Sequence, residues 1–99
     1  MTMITALELQ QKIAQNKDFL LIDVREEFEH AHFNIGGILM PMNTVFGNVE
    51  KIPTDKEVIF YCEKGIRSSI VIQRLQEKFC FTNLINLTGG MQAWRREIQ

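Results

Sequence analysis

The sequence predicts an α/β fold, a central parallel sheet with helices on both faces. Two observations carry this. The runs Phe19–Val24, Val58–Tyr61 and Asn83–Leu87 have strand length and are largely continuously apolar, the mark of strands buried on both faces. Segments of helical period separate them, and this alternation winds right-handed crossovers onto a parallel sheet. With 99 residues, 45% of them apolar, the chain is sized for a single domain over 1–99 with its own core.

The elements follow in order. Thr5-Ala6-Leu7-Glu8 is a capping box, with Thr5 as N-cap, Glu8 at the third helical position, and Ile4 and Leu9 as the flanking apolar staple. Ala6, Leu9 and Ile13 share the inner face of this helix, which Asn16 stops. After the strand Phe19–Val24, the stretch Arg25–Ala31 reads as a short charged helix. Asn34–Gly37 is a turn, and Ile38–Met40 is a short strand ended by Pro41. Met42–Ile52 is ambiguous, a helical turn with a loop. Pro53–Lys56 is a turn before the strand Val58–Tyr61. Arg67–Lys78 is helical, with Ile66, Ile70, Leu75 and Phe79 on its apolar side. The strand Asn83–Leu87, the turn Thr88-Gly89-Gly90 and a helix over Met91–Ile98 complete the chain.

Composition narrows the function. A net charge of −1 and the lack of a basic stripe argue against nucleic-acid binding. No stretch has membrane-spanning length, and the first twenty residues lack the basic start and apolar run of a secretion signal. Two cysteines at this length suit a reducing, cytoplasmic setting better than a disulfide scaffold.

The chemistry centres on Cys62-Glu63-Lys64-Gly65-Ile66-Arg67-Ser68, which leaves a buried strand and enters a helix. Backbone N–H groups of such a loop converge on anions, and the helix start adds partial positive charge, so a thiolate nucleophile is stabilised there. Lys64 and Arg67 add fixed positive charge. Sites in open parallel sheets lie at the carboxyl ends of strands. Asp23-Val24-Arg25, Cys62 and Thr88-Gly89-Gly90 all fall at such ends.

Four segments, Asp23-Val24-Arg25-Glu26, Gly36-Gly37 before Pro41, Cys62-x-x-Gly65-x-Arg67-Ser68 and Gly89-Gly90-Met91-x-Ala93-Trp94, stand in the order of single-domain rhodanese-like sulfurtransferases, and the chain resembles that family along nearly its whole length. The resemblance implies a rhodanese-like three-layer sandwich, no cofactor, and a persulfide carried on Cys62, with Cys62 to Arg67 as the active-site loop. Many members have His-Ile-x-Gly-Ala where this chain has Asn34-Ile35-Gly36-Gly37, a form that looks like rhodanese domains joined to adenylyltransferases. Within the family, six-residue loops accompany sulfur transfer and Cys-x5-Arg loops accompany phosphatases and arsenate reductases. Cys62 to Arg67 is Cys-x4-Arg, a ring sized for one extra sulfur rather than a tetrahedral oxyanion.

The expected activity is transfer of sulfane sulfur from thiosulfate or a persulfide, small or protein-borne, to a thiol or sulfur-carrier acceptor. The alternative is a protein-to-protein sulfur relay with little small-molecule turnover. The phosphatase or arsenate reductase reading is disfavoured by loop length. Thiol exchange depends on the attacking thiolate and the leaving group, so no general base is required. In this reading Lys64 and Arg67 attract an anionic donor, while Glu63 sets a negative charge against it.

Other residues take plainer roles. Asp23 and Arg25 support the loop through hydrogen bonds. Cys80, between Phe79 and Phe81, is expected in the core. The intervening helix holds it roughly 18 Å from Cys62, beyond disulfide reach. His30 and His32 are expected at the surface, and no metal site is expected. Gly89-Gly90 lacks phosphate-loop spacing and reads as a tight turn. Ala93 and Trp94 read as packing residues.

Overall fold

The computed structural model describes residues 1–99. Five strands form one sheet, β1 (Thr2–Ile4), β2 (Phe19–Asp23), β3 (Ile38–Leu39), β4 (Glu57–Tyr61) and β5 (Leu84–Leu87), in the spatial order β1-β5-β4-β2-β3. Every neighbouring pair is parallel. Four α-helices accompany it, α1 (Ala6–Ala14), α2 (Glu27–His32), α3 (Ile66–Lys78) and α4 (Gly90–Glu97), together with a 3₁₀ segment over Met42–Lys51. The parallel sheet between helical layers matches the expected architecture.

The period-2 geometry of β4 divides the interior. Val58 and Phe60 join Ile22, Val24, Val45, Val71, Ile72 and Leu75 on the face covered by α3 and the 3₁₀ segment. Ile59 and Tyr61 join Leu9, Ile85, Leu87, Met91 and Trp94 on the face covered by α1 and α4. A strand buried from both sides needs apolar residues at successive positions, which explains its continuous apolar run.

Local signals set the element ends. The Thr5 hydroxyl accepts the Glu8 N–H at 3.1 Å and the Glu8 carboxylate accepts the Thr5 N–H at 2.9 Å, the predicted capping box. Asn16 adopts a left-handed conformation, φ 56°, after α1. Gly37 lies against Tyr61, where an added Cβ would stand 2.7 Å from the ring.

The structure departs from expectation in several places. β1, which the sequence pattern does not predict, pairs with β5; so short an edge strand carries little sequence pattern. Ile13 is 42% exposed, because α1 buries only Ala6 and Leu9. α2 starts at Glu27, since Arg25 is pinned ahead of it by Asp23. The ambiguous stretch after Pro41 is helical over Met42–Lys51, with a kink at Asn48. α3 starts at Ile66 and buries Ser68, Val71, Ile72 and Leu75, a stripe of i, i+3, i+4 and i+7 spacing. Ile66 and Phe79, expected inward, are 61% and 39% exposed. Cys80 is exposed rather than packed, because α3 ends at Lys78 and the chain turns at the surface, where Phe79 and Phe81 meet edge to face.

Candidate active site

β4 delivers Cys62 to the carboxyl edge of the sheet, where the residue is 1% exposed. Its Sγ accepts the Gly65 N–H at 3.1 Å and the Ser68 N–H at 3.3 Å. Gly65 makes the first contact possible. Its φ of +86° suits glycine, and a Cβ there would stand 3.1 Å from the Gly89 nitrogen. The loop thus folds back over the sulfur and runs directly into α3.

A buried polar chain fixes this loop from beneath. The Asn86 amide donates to the Gly65 carbonyl at 3.1 Å, which turns its oxygen toward Ser68, and the Ser68 hydroxyl donates to that oxygen at 2.5 Å. Ser68 Oγ lies 3.3 Å from Cys62 Sγ. Asn86 and Ser68 are 1% and 0% exposed, so each polar atom in this chain depends on its partner. Sequence reasoning has Ser68 in the motif run but ends the active-site loop at Arg67, and it does not place Asn86 in the site. The readable signal was a single amide inside the apolar strand Leu84-Ile85-Asn86-Leu87.

The start of α4 holds the loop from the other side. The Met91 and Gln92 N–H groups donate to the Cys62 and Glu63 carbonyls, each at 2.9 Å. Gly90 permits this approach, since a Cβ there would lie 2.3 Å from the Cys62 carbonyl oxygen. The Gly89-Gly90 turn therefore also acts as a clamp on the loop.

Charged side chains crowd the mouth. Asp23 is wholly buried and receives the Arg25 N–H at 2.9 Å, with guanidinium contacts at 2.9, 3.0 and 3.2 Å. Arg25 also donates to the Phe33 carbonyl at 2.6 Å and reaches Glu63 at 3.5 Å. His30 departs from its expected surface role, because its Nδ1 stands 2.9 Å from Asp23 Oδ2. His32 is exposed as expected. Glu63 is paired with both Arg25 and Arg95, so its charge is answered within the protein rather than presented alone beside Cys62.

Arg67 also departs from expectation. Its two terminal nitrogens donate to the two Glu29 oxygens at 2.8 and 2.9 Å, so the guanidinium is occupied. These bonds are the chief cause that brings the Glu29 carboxyl from its ordinary value of 4.5 down to about 2. The Arg67 guanidinium is raised in turn, first by Glu29 and further by the charge of Cys62. Lys64 alone among the loop cations is exposed and outside any ion pair. Glu63, Lys64, Ile66 and Arg67 surround Cys62 in a pocket of about 330 Å³.

The chain is similar to known proteins along most of its length. Residues 5–97 match the family model described as a rhodanese-like domain. The chain is 35% identical over 89 residues to a sulfurtransferase of Allochromatium vinosum, covering 89% of this chain and 82% of the relative. It is 29% identical over 99 residues to the probable adenylyltransferase/sulfurtransferase MoeZ of Mycobacterium tuberculosis, covering 97% of this chain and 25% of that longer protein. The crystal structure of a rhodanese-like domain protein from Staphylococcus aureus superposes with a TM-score of 0.86 at 32% identity, covering 95% of this chain and 91% of that one.

Proposed function

The chain belongs to the rhodanese-like family, and on that premise we propose that it moves sulfane sulfur from a donor to a thiophilic acceptor through a persulfide on Cys62. The single observation that carries the proposal is the cradle of Gly65 and Ser68 N–H groups on a buried Cys62 Sγ, at 3.1 and 3.3 Å. Two fixed N–H donors stabilise a thiolate without a neighbouring base.

The Cys62 thiolate attacks the outer sulfur of the donor. A bond forms between the two sulfurs, and the bond from that outer sulfur to the rest of the donor breaks. The remainder departs with the electron pair, as sulfite from thiosulfate or as a thiolate from a persulfide. The acceptor then attacks the terminal sulfur, and Cys62 leaves as thiolate. Electrons and charge balance in both halves, and no cofactor takes part. Asp23 and Arg25 position the edge of the site, and Lys64 is the cation free to meet an incoming anion.

A persulfide donor, small or protein-borne, suits the site better than thiosulfate, because the Arg25, Arg67 and Arg95 guanidinium groups already face carboxylates. The likeness to MoeZ lends support to a relay role. Steady-state transfer to cyanide from thiosulfate and from a small persulfide tests the reading. The expected result is a higher kcat/KM with the persulfide and loss of both activities in Cys62→Ser. Equal turnover by Cys62→Ser contradicts the mechanism.

A further inference from the structure

We infer that Glu29 selects the donor class of the Cys62 site by filling, with its own carboxylate, the anion position on Arg67. The planar guanidinium binds carboxylates and tetrahedral oxyanions through the same pair of parallel N–H groups. Both groups on Arg67 point at Glu29, at 2.8 and 2.9 Å. Glu29 is fixed in turn, since its Oε1 also accepts the Glu26 N–H at 3.0 Å. The pair bridges α2 and α3 beside the pocket that holds Cys62. Protonation does not free the site near neutral pH, because the Glu29 carboxyl is held at about 2.

The resident carboxylate acts as a built-in competitor. A thiosulfate dianion arriving at Cys62 must displace Glu29 from Arg67 or rely on Lys64, the two cations that line the Cys62 pocket. A neutral persulfide carries no oxyanion for a guanidinium to answer: Cys62 attacks its outer sulfur and its inner sulfur leaves as thiolate. Glu29 therefore lowers affinity for small oxyanionic donors and leaves persulfide donors, including protein-borne ones, unaffected. The consequence for donor choice rests on the sulfur-transfer reading; the occupancy of Arg67 does not.

The test separates the two. In a Cys80→Ser background, iodoacetamide alkylation of Cys62 is followed by intact mass while sodium sulfate is titrated at constant ionic strength. Sulfate is expected to protect Cys62 only weakly with Glu29 in place. Glu29→Gln is expected to lower the half-protecting concentration about tenfold, the value of one charge-assisted contact. Glu29→Asp, which keeps the charge but draws the carboxylate back, is expected to lie between them. In turnover, Glu29→Gln is expected to lower KM for thiosulfate and leave KM for a small persulfide unchanged. Strong sulfate protection with Glu29 in place, or equal protection of all three proteins, overturns the inference. Enhanced protection without sulfur transfer by any of the three defeats the functional reading and with it donor selection, and leaves standing only the occupancy of the Arg67 anion position by Glu29.

Discussion

Cys62 works as a buried atom with assigned partners. Its Sγ faces the N–H groups of Gly65 and Ser68, and Asn86 fixes both the Gly65 carbonyl and the Ser68 hydroxyl. Replacing Asn86 with Leu removes the amide donor to the Gly65 carbonyl and leaves the Ser68 hydroxyl only the Cys62 sulfur, with each lost buried bond costing about 1–3 kcal/mol. The expected outcome is a lower urea midpoint and slower alkylation of Cys62 by iodoacetamide, as the cradle loosens. Lys64 has a different role. As the unpaired cation of the loop, its change to Ala is expected to raise KM for thiosulfate about three- to fivefold, the value of an exposed charge pair, with no change in the unfolding midpoint. Cys62, Lys64 and Arg67 could be picked out from loop spacing alone. Glu29, which occupies Arg67, could not, because the two lie 38 positions apart and only the folded chain brings them together.

At the scale of elements, the loop is held between two strand-to-helix turns. α4 donates two N–H groups to the loop carbonyls, and Gly90 sits where any Cβ would collide with the Cys62 carbonyl. Gly90→Ala is therefore expected to destabilise the fold by about 1–3 kcal/mol through overpacking and to reduce sulfur transfer even where the protein remains folded. Thermal unfolding and steady-state transfer measure the two effects. Gly37→Ala meets the Tyr61 ring and is expected to lower stability similarly, with less effect on the loop. The long strands and the capping box of α1 are legible because each rests on local chemistry. The start of α2 is not, because the side chain of Asp23 overrides local helical preference by pinning the Arg25 N–H. The inner face of α3 was misjudged because Ile66 serves the rim of the pocket rather than the core.

Across the whole molecule, a parallel sheet between two helical layers brings Asp23, Cys62 and the Gly89-Gly90 turn to one edge. The alternation of apolar runs sufficed to predict this convergence. The ring of ion pairs around the mouth depends on contacts between distant segments and left no local pattern. That ring also links stability to pH. The Glu29 carboxyl titrates near 2 in the folded protein against an ordinary 4.5, so the folded state binds fewer protons between these values. The Glu29–Arg67 contribution is present above about pH 4.5 and is lost as pH falls toward 2. Urea midpoints are expected to fall over this interval, with a shallower fall in Glu29→Gln. An identical pH dependence in both proteins contradicts the assignment.

Carriage of sulfur on Cys62 is tested most directly by the intact mass of the reduced protein after incubation with a small persulfide donor. A gain of one sulfur atom is expected, lost on adding cyanide, present in Cys80→Ser and absent in Cys62→Ser. No adduct on the unaltered protein, or an adduct that survives Cys62→Ser, contradicts it.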